Sequence, residues 1–264
     1  IGNHYVNFDT AALPFSYVNE VEGKSVLVPA MNFLTVGTMR DGRKWPTRDR
    51  RSCKSPLDQV RFDVLSPFTG AKMLRGRTIL RELHANTEKG VEYVSYQGIR
   101  VKRRLLKTCA RYYDLALEKY CGDVVVRRAL RMAQASAAQV LETDPQGLSG
   151  DSEWVDIAGM LCTRTRIEHV CTAVADEQVA SLPDLLARLR DIHENYASDE
   201  WNWVLGALPA VYGIDTSTAP QQALATIVGQ WQRASSKLLK MVIADAEKEF
   251  GGIVRTGFGI DGNR

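Results

Sequence analysis

The sequence predicts a mainly α protein, a helical-bundle body with a small N-terminal β-hairpin and extended region. Three observations carry this. From Arg103 onward apolar residues recur every three or four positions, as in Leu105, Cys109, Tyr112 and Ala116, which is the spacing of one helix face. Residues 220–250 form the strongest single helix, with Leu224, Ile227 or Val228, Trp231, Leu238, Val242 and Phe250 close to a heptad seam that suits a bundle core. Extended patterning is confined to the residues before that helical run.

Taken in order, residues 1–14 alternate apolar and polar side chains. Residues 15–21 and 24–28 read as strands joined by a turn at Glu22-Gly23. Gly23-Lys24-Ser25 is not the end of a phosphate-binding loop, because position 18 is Val and a strand follows. Residues 29–55 are loop-like. Ser55-Pro56 and Ser66-Pro67 both carry a helix-start signature, predicting a short helix over 56–65 and a longer one over 67–85. A small hairpin around Gln97-Gly98 follows. A break is expected at Gly122-Asp123, then a second helical stripe through Val126, Leu130, Ala133, Ala137 and Val140. Residues 144–153 read as a linker and 154–179 as helix. Ser181 caps a further helix, another spans 199–208, and the tail from Gly251 is loop. The expected segments are 1–65 with its basic loop 40–54, 66–143, 154–250 and 251–264.

At 264 residues, 45% hydrophobic and 25% charged, the chain has enough apolar content for a buried core. Its five cysteines are odd in number and form no Cys-x-x-Cys, which suits a reducing, cytoplasmic setting. The longest nearly apolar run, 204–214, is interrupted by Pro209 and is too short to span a bilayer. The first residue is Ile, so more chain is expected upstream.

Charge is concentrated in residues 40–54. This window holds seven Lys or Arg and two Asp, a net of +5 in a chain of net +3, so the remainder sums to −2. Within it Arg40, Asp41, Lys44, Trp45, Arg48, Asp49, Arg50 and Arg51 are the candidate ligand-binding residues. Guanidinium groups grip phosphate bidentately, an interleaved Asp orients them, and Trp45 offers a ring for stacking. A phosphorylated small molecule is the expected partner, and the low overall charge argues against nucleic acid. A second basic cluster comprises Arg100, Lys102, Arg103, Arg104 and Lys107. The four histidines lack metal-ligand spacing, so no metal is assigned. The sequence identifies neither a cofactor nor catalytic residues. His193-Glu194 and Asp199-Glu200 read as solvated helix ends.

Several stretches resemble an uncharacterised bacterial family. They are Leu13-Pro14-Phe15-Ser16-Tyr17, Leu27-Val28-Pro29, residues 36–41, and Lys44-Trp45-Pro46-Thr47-Arg48-Asp49-Arg50-Arg51. The likeness continues through Leu57-Asp58-Gln59, Leu65-Ser66-Pro67-Phe68 and Tyr96-Gln97-Gly98, and returns at 257–262. Longer members of that family carry a left-handed β-helix of hexapeptide repeats before this region, and some are described as sugar-phosphate nucleotidylyltransferases. The resemblance implies the helical C-terminal part of a nucleotidyl- or acyltransferase-like protein acting on sugar phosphates or nucleotide sugars. It also implies a homo-oligomer, a trimer where the β-helix is present. The alternative is a structural or assembly module packing on an upstream repeat domain, with a nucleic-acid-binding protein acting through both basic clusters ranked below it.

Overall fold

The computed structural model describes residue 4, residues 6–35, residue 38 and residues 59–250. Its fold is mainly α, with two small sheets. Two compact units divide the chain. The first gathers residues 1–44, 69–119 and 232–264, and the second gathers 45–68 and 120–231.

In the first unit β1 (Tyr17–Val21) and β2 (Lys24–Val28) form the predicted hairpin, with Val21 opposite Lys24. Its turn residues Glu22 and Gly23 have φ of 52° and 70°, the left-handed pair that matches strand twist in a two-residue turn. β3 (Tyr93–Tyr96) and β4 (Ile99–Lys102) repeat the device at Gln97-Gly98. The two hairpins then join. β2 runs parallel to β4, with Val26 beside Arg100 and Leu27 beside Val101, giving the order β1-β2-β4-β3. Parallel neighbours require a long connection, and here it includes α1 (Pro67–Ala85).

Residues 69–85 of α1, 103–119 of α2 (Arg103–Arg131) and 232–250 of the last helix supply this unit's helices. Met73, Leu80, Leu106 and Tyr113 are buried with Val26, Leu27, Ile99 and Val101 of the sheet. The N-terminal segment crosses α1 at Gly76, where an added Cβ would lie 2.5 Å from the Ala12 carbonyl oxygen. Tyr113 donates to the Pro14 carbonyl at 2.7 Å on the same crossing. The second basic cluster is largely engaged here. Arg100 lies 4.5 Å over the Tyr93 ring, Lys102 sits 5.3 Å over the same ring, and Arg103 donates to the Thr87 carbonyl at 3.0 Å.

The second unit contains the end of α2 and one helical turn, α3 (Ala137–Val140). A hairpin of β5 (Trp154–Ile157) and β6 (Met160–Thr163) follows. After it come α4 (Arg164–Ala175), α5 (Leu182–Glu194), α6 (Tyr196–Tyr212) and residues 220–231 of α7 (Pro220–Phe250). Several expectations change in this unit.

The break at Gly122-Asp123 does not occur, and α2 runs through it. The glycine makes room for a ring instead. A Cβ at position 122 would lie 2.5 Å from Trp231 Cβ, and Asp123 accepts the Trp231 indole N–H at 2.7 Å. The stripe from Val126 to Val140 is not one helix, since α2 stops at Arg131 and Leu130 is 74% exposed. Ser136 and Gln139 restart the chain as a reciprocal capping box.

Residues 154–163, expected as helix, form the β5–β6 hairpin with φ of 51° at Ala158 and 93° at Gly159. All four residues of β6 are buried. Met160 and Cys162 pack with Val170 and Ile192, and a short apolar run of this kind carries no period to separate strand from helix. Residues 59–65 are not helical either; the rest of that expected helix, 56–58, lies outside the described residues. Arg61 N–H bonds to the Gly159 carbonyl at 3.0 Å, which holds this stretch against the hairpin turn.

The segment read as a linker, 144–153, is packed on α6. Asn202 accepts from Asp144 N–H at 2.7 Å and donates to the carbonyls of Asp144 and Leu148 at 2.9 and 3.0 Å. Ser181 caps α5 as predicted, accepting from Asp184 N–H at 3.3 Å. Among the described residues no helix is long and apolar enough to cross a membrane.

Candidate anion-binding cleft

The N-terminal part of α6 places two acids side by side, Asp199 at the end of the first turn and Glu200 just after it. Consecutive helix positions point about 100° apart, so the pair separates into two surroundings. Both are buried, at 2% and 7% exposure, which corrects their reading as solvated helix ends. Asp199 is fully engaged. It accepts two bonds from Arg166, at 2.5 and 2.9 Å, and one from Leu148 N–H at 2.8 Å. That set locks the 144–153 segment, α4 and α6 together.

Glu200 has a softer environment. Its Oε1 accepts from the Tyr120 hydroxyl at 2.9 Å and from Tyr196 at 3.4 Å. Its Oε2 lies 3.9 Å from an Arg127 nitrogen, beyond hydrogen-bond length. Burial pushes the Glu200 carboxyl above the ordinary glutamate range. The Tyr120 bond and the charges of Arg127 and Arg61 oppose that shift, and Asp63 adds to it. Burial first, and then the Glu200 charge, push both phenols up, so they stay protonated donors. Arg61 stacks 3.4 Å from the centre of the Tyr196 ring and pairs with Asp63 at 3.8 Å. His193 is pushed down by burial and by Arg61.

Beside Glu200 opens a cleft of about 280 Å³, lined by Arg127, Arg128, Arg131, Asp144, Trp201 and Glu200, with Ala197 and Ser198 at its edge. Arg128 is structural. It lies 4.4 Å over the Trp201 ring, donates to the Val140 carbonyl at 3.0 Å and sits 3.7 Å from Asp144. Arg131 is exposed and has no carboxylate within ion-pair distance among the described residues. Among the described residues Arg127 is held only by its long contact to Glu200. Arg128 and Arg131 suit the last turn of α2, where cations complement the helix dipole. Ala197 and Ser198 belong to the first turn of α6, whose partial positive charge favours an anion. Two adjustable guanidiniums beside a helix start make a cleft suited to an oxyanion. A second hollow of about 340 Å³, bordered by His169 and Asp191, differs in that its arginines are already paired, Arg166 with Asp199 and Arg188 with Asp184.

The residues singled out from sequence, Arg40, Asp41, Lys44, Trp45, Arg48, Asp49, Arg50 and Arg51, lie outside the described residues. So does the glycine-rich tail. Sequence reasoning missed Arg61, Tyr120, Arg127, Arg131 and Tyr196, and misjudged Glu200. One signal was present: Arg127 and Arg131 are four apart, on one helix face. Among the described residues no group of three or more His, Cys, Asp or Glu is placed to hold a metal ion.

Residues 1–84 match the family model Domain of unknown function (DUF4954), and residues 135–264 match Domain of unknown function (DUF6819). The chain is therefore similar over two stretches to uncharacterised domain families, as its N-terminal motifs indicate. No curated protein and no solved structure matches it.

Proposed function

We propose that the chain binds a phosphorylated small molecule. The cleft of the second unit carries this reading. Among the described residues Arg127 and Arg131 have no close carboxylate bond, and they stand next to the first turn of α6. The segment 40–51 supports it from sequence, with its excess of Arg and Lys and its interleaved acids. A part in a transferase acting on sugar phosphates or nucleotide sugars rests on the family resemblance alone.

The test is a thermal-shift series with inorganic phosphate, a sugar phosphate and a nucleotide sugar. A ligand at a hundred times its Kd stabilises the folded state by about 2.7 kcal/mol, a shift of a few degrees. Arg127→Ala with Arg131→Ala should abolish the shift if the cleft holds the phosphate. Arg48→Ala with Arg50→Ala should abolish it if the segment 40–51 does. No shift with any phosphorylated probe rules the reading out.

The second reading is a structural or assembly module. Arg100, Lys102 and Arg103 favour it, because all three cations are engaged within the first unit. A fold indifferent to every phosphorylated probe is its expected signature.

A further inference from the structure

Arg127 belongs to two sites at once. It borders the open cleft, and it stands as counter-charge to a carboxylate the fold has buried. Its side chain is 56% exposed while that of Glu200 is 10% exposed, so the arginine is the free member of the pair. Their 3.9 Å separation is also well beyond the 2.7–2.9 Å of a charge-assisted hydrogen bond. An oxyanion entering the cleft therefore competes directly with Glu200 for this guanidinium.

We propose that Arg127 exchanges Glu200 for the bound oxyanion, and that Glu200 takes up a proton from solvent as it does so. The inference rests on the reading of the cleft as an oxyanion site. It makes Glu200 the residue that sets the affinity of that site and ties occupancy to proton uptake.

The groups around Glu200 show why a proton is needed. On α2 they are Tyr120 and Arg127. On α6 itself there is Tyr196. From the 59–66 stretch come Arg61 and Asp63, which pair with each other at 3.8 Å. On the cleft side stand Arg128 and Asp144, themselves paired at 3.7 Å, and Arg131. Once the oxyanion neutralises Arg127, the neutral phenols and an Arg61 already shared with Asp63 are what remain near the carboxylate among the described residues. A buried carboxylate short of a counter-charge neutralises itself by binding a proton. Burial already biases Glu200 in that direction. One O–H bond forms on the Glu200 carboxyl as hydronium or a buffer acid gives up its proton; no other covalent bond changes, and Tyr120 keeps its hydrogen bond to Oε1.

Inorganic sulfate is the probe, because it stays a dianion across the neutral range and so contributes no protons of its own. The full chain is titrated with sulfate by calorimetry at one pH, in buffers of different ionisation enthalpy. The slope of heat against ionisation enthalpy counts protons bound per sulfate. A net fractional uptake is expected, together with weaker affinity as pH rises. In Glu200→Gln, checked by circular dichroism, the uptake should vanish and the affinity should lose its pH dependence. In Arg127→Gln, where Glu200 has no partner to give up, sulfate should bind several-fold more weakly with no uptake. Sulfate binding to wild type without proton uptake overturns the exchange and leaves the oxyanion site standing. Uptake that persists in either variant places the proton elsewhere and also overturns it. Failure of wild type to bind sulfate or phosphate at all overturns both the exchange and the oxyanion site.

Discussion

Trp231 donates its indole N–H to Asp123 at 2.7 Å, across the space left by the missing side chain of Gly122. One position thus sets the fit of α7 against α2 within the second unit. Gly122→Ala should gain about 1 kcal/mol of helix propensity. The new Cβ would, however, lie 2.5–2.6 Å from Trp231 Cβ, Cδ1 and Cγ, atoms too near the backbone to swing aside. Overpacking of this kind costs about 1–3 kcal/mol. The variant should therefore unfold at lower urea than wild type. A midpoint equal to or above wild type would show that the ring is free to move.

The Arg166–Asp199 pair should be the most sensitive charge contact in the second unit. Asp199 is 1% exposed at its side chain and has Leu148 N–H as its other donor. Removing one partner of a buried pair leaves the other charge uncompensated, at a cost of about 3–5 kcal/mol. Arg166→Ala should lose stability on that scale. Hydrogen exchange should also accelerate at the Leu148 amide, which bonds to the same carboxylate. Unchanged protection there would mean that the 144–153 segment holds without the pair.

Glu200 predicts a pH dependence whose sign follows from its raised proton affinity. The folded state holds this proton more tightly than the unfolded chain does. Its stabilising contribution is full below the ordinary glutamate value, about 4.3, and is lost as pH rises through the raised folded value. Glu200→Gln, which cannot ionise, should therefore gain on wild type as pH rises from that value. Urea midpoints of the two proteins at a series of pH values supply the comparison. A flat difference would mean that the carboxyl titrates normally.

Thiol reactivity should divide the described cysteines. Burial pushes Cys109 up to about 12 and Cys162 up to about 11, so neither yields thiolate at neutral pH. Cys121 is buried and Cys171 is exposed. Brief alkylation followed by peptide mapping should label Cys171 ahead of Cys109, Cys121 and Cys162. Early labelling of Cys109 would indicate that the first unit opens locally.

The legible parts of the fold were those written locally. Glu22-Gly23 and Gln97-Gly98 announced their hairpins because a turn with two positive φ values needs such residues between alternating strands. Ser181 announced α5 because an N-cap acts within three residues. Gly122 reads as a helix break because a glycine that ends a helix and one that admits a neighbouring ring are the same letter. The β5–β6 hairpin was hidden because β6 is buried on both faces and shows no alternation. Glu200 reads as a surface acid in the sequence because its burial depends on Tyr120, eighty positions earlier. Of the candidate site, sequence gave the arginine spacing of α2 but not the carboxylate it surrounds.

The parallel pairing of β2 with β4 bears on how the chain is made. Val26 and Leu27 find their partners only at Arg100 and Val101. During synthesis the first hairpin is complete long before those residues leave the ribosome. Throughout that interval one edge of β2 presents open backbone groups beside side chains that end up fully buried. Such an edge is a template for wrong pairing between nascent chains. The first unit should thus be most prone to aggregate as a truncated product ending before residue 99, and a holding chaperone should bind that product in preference to the finished chain.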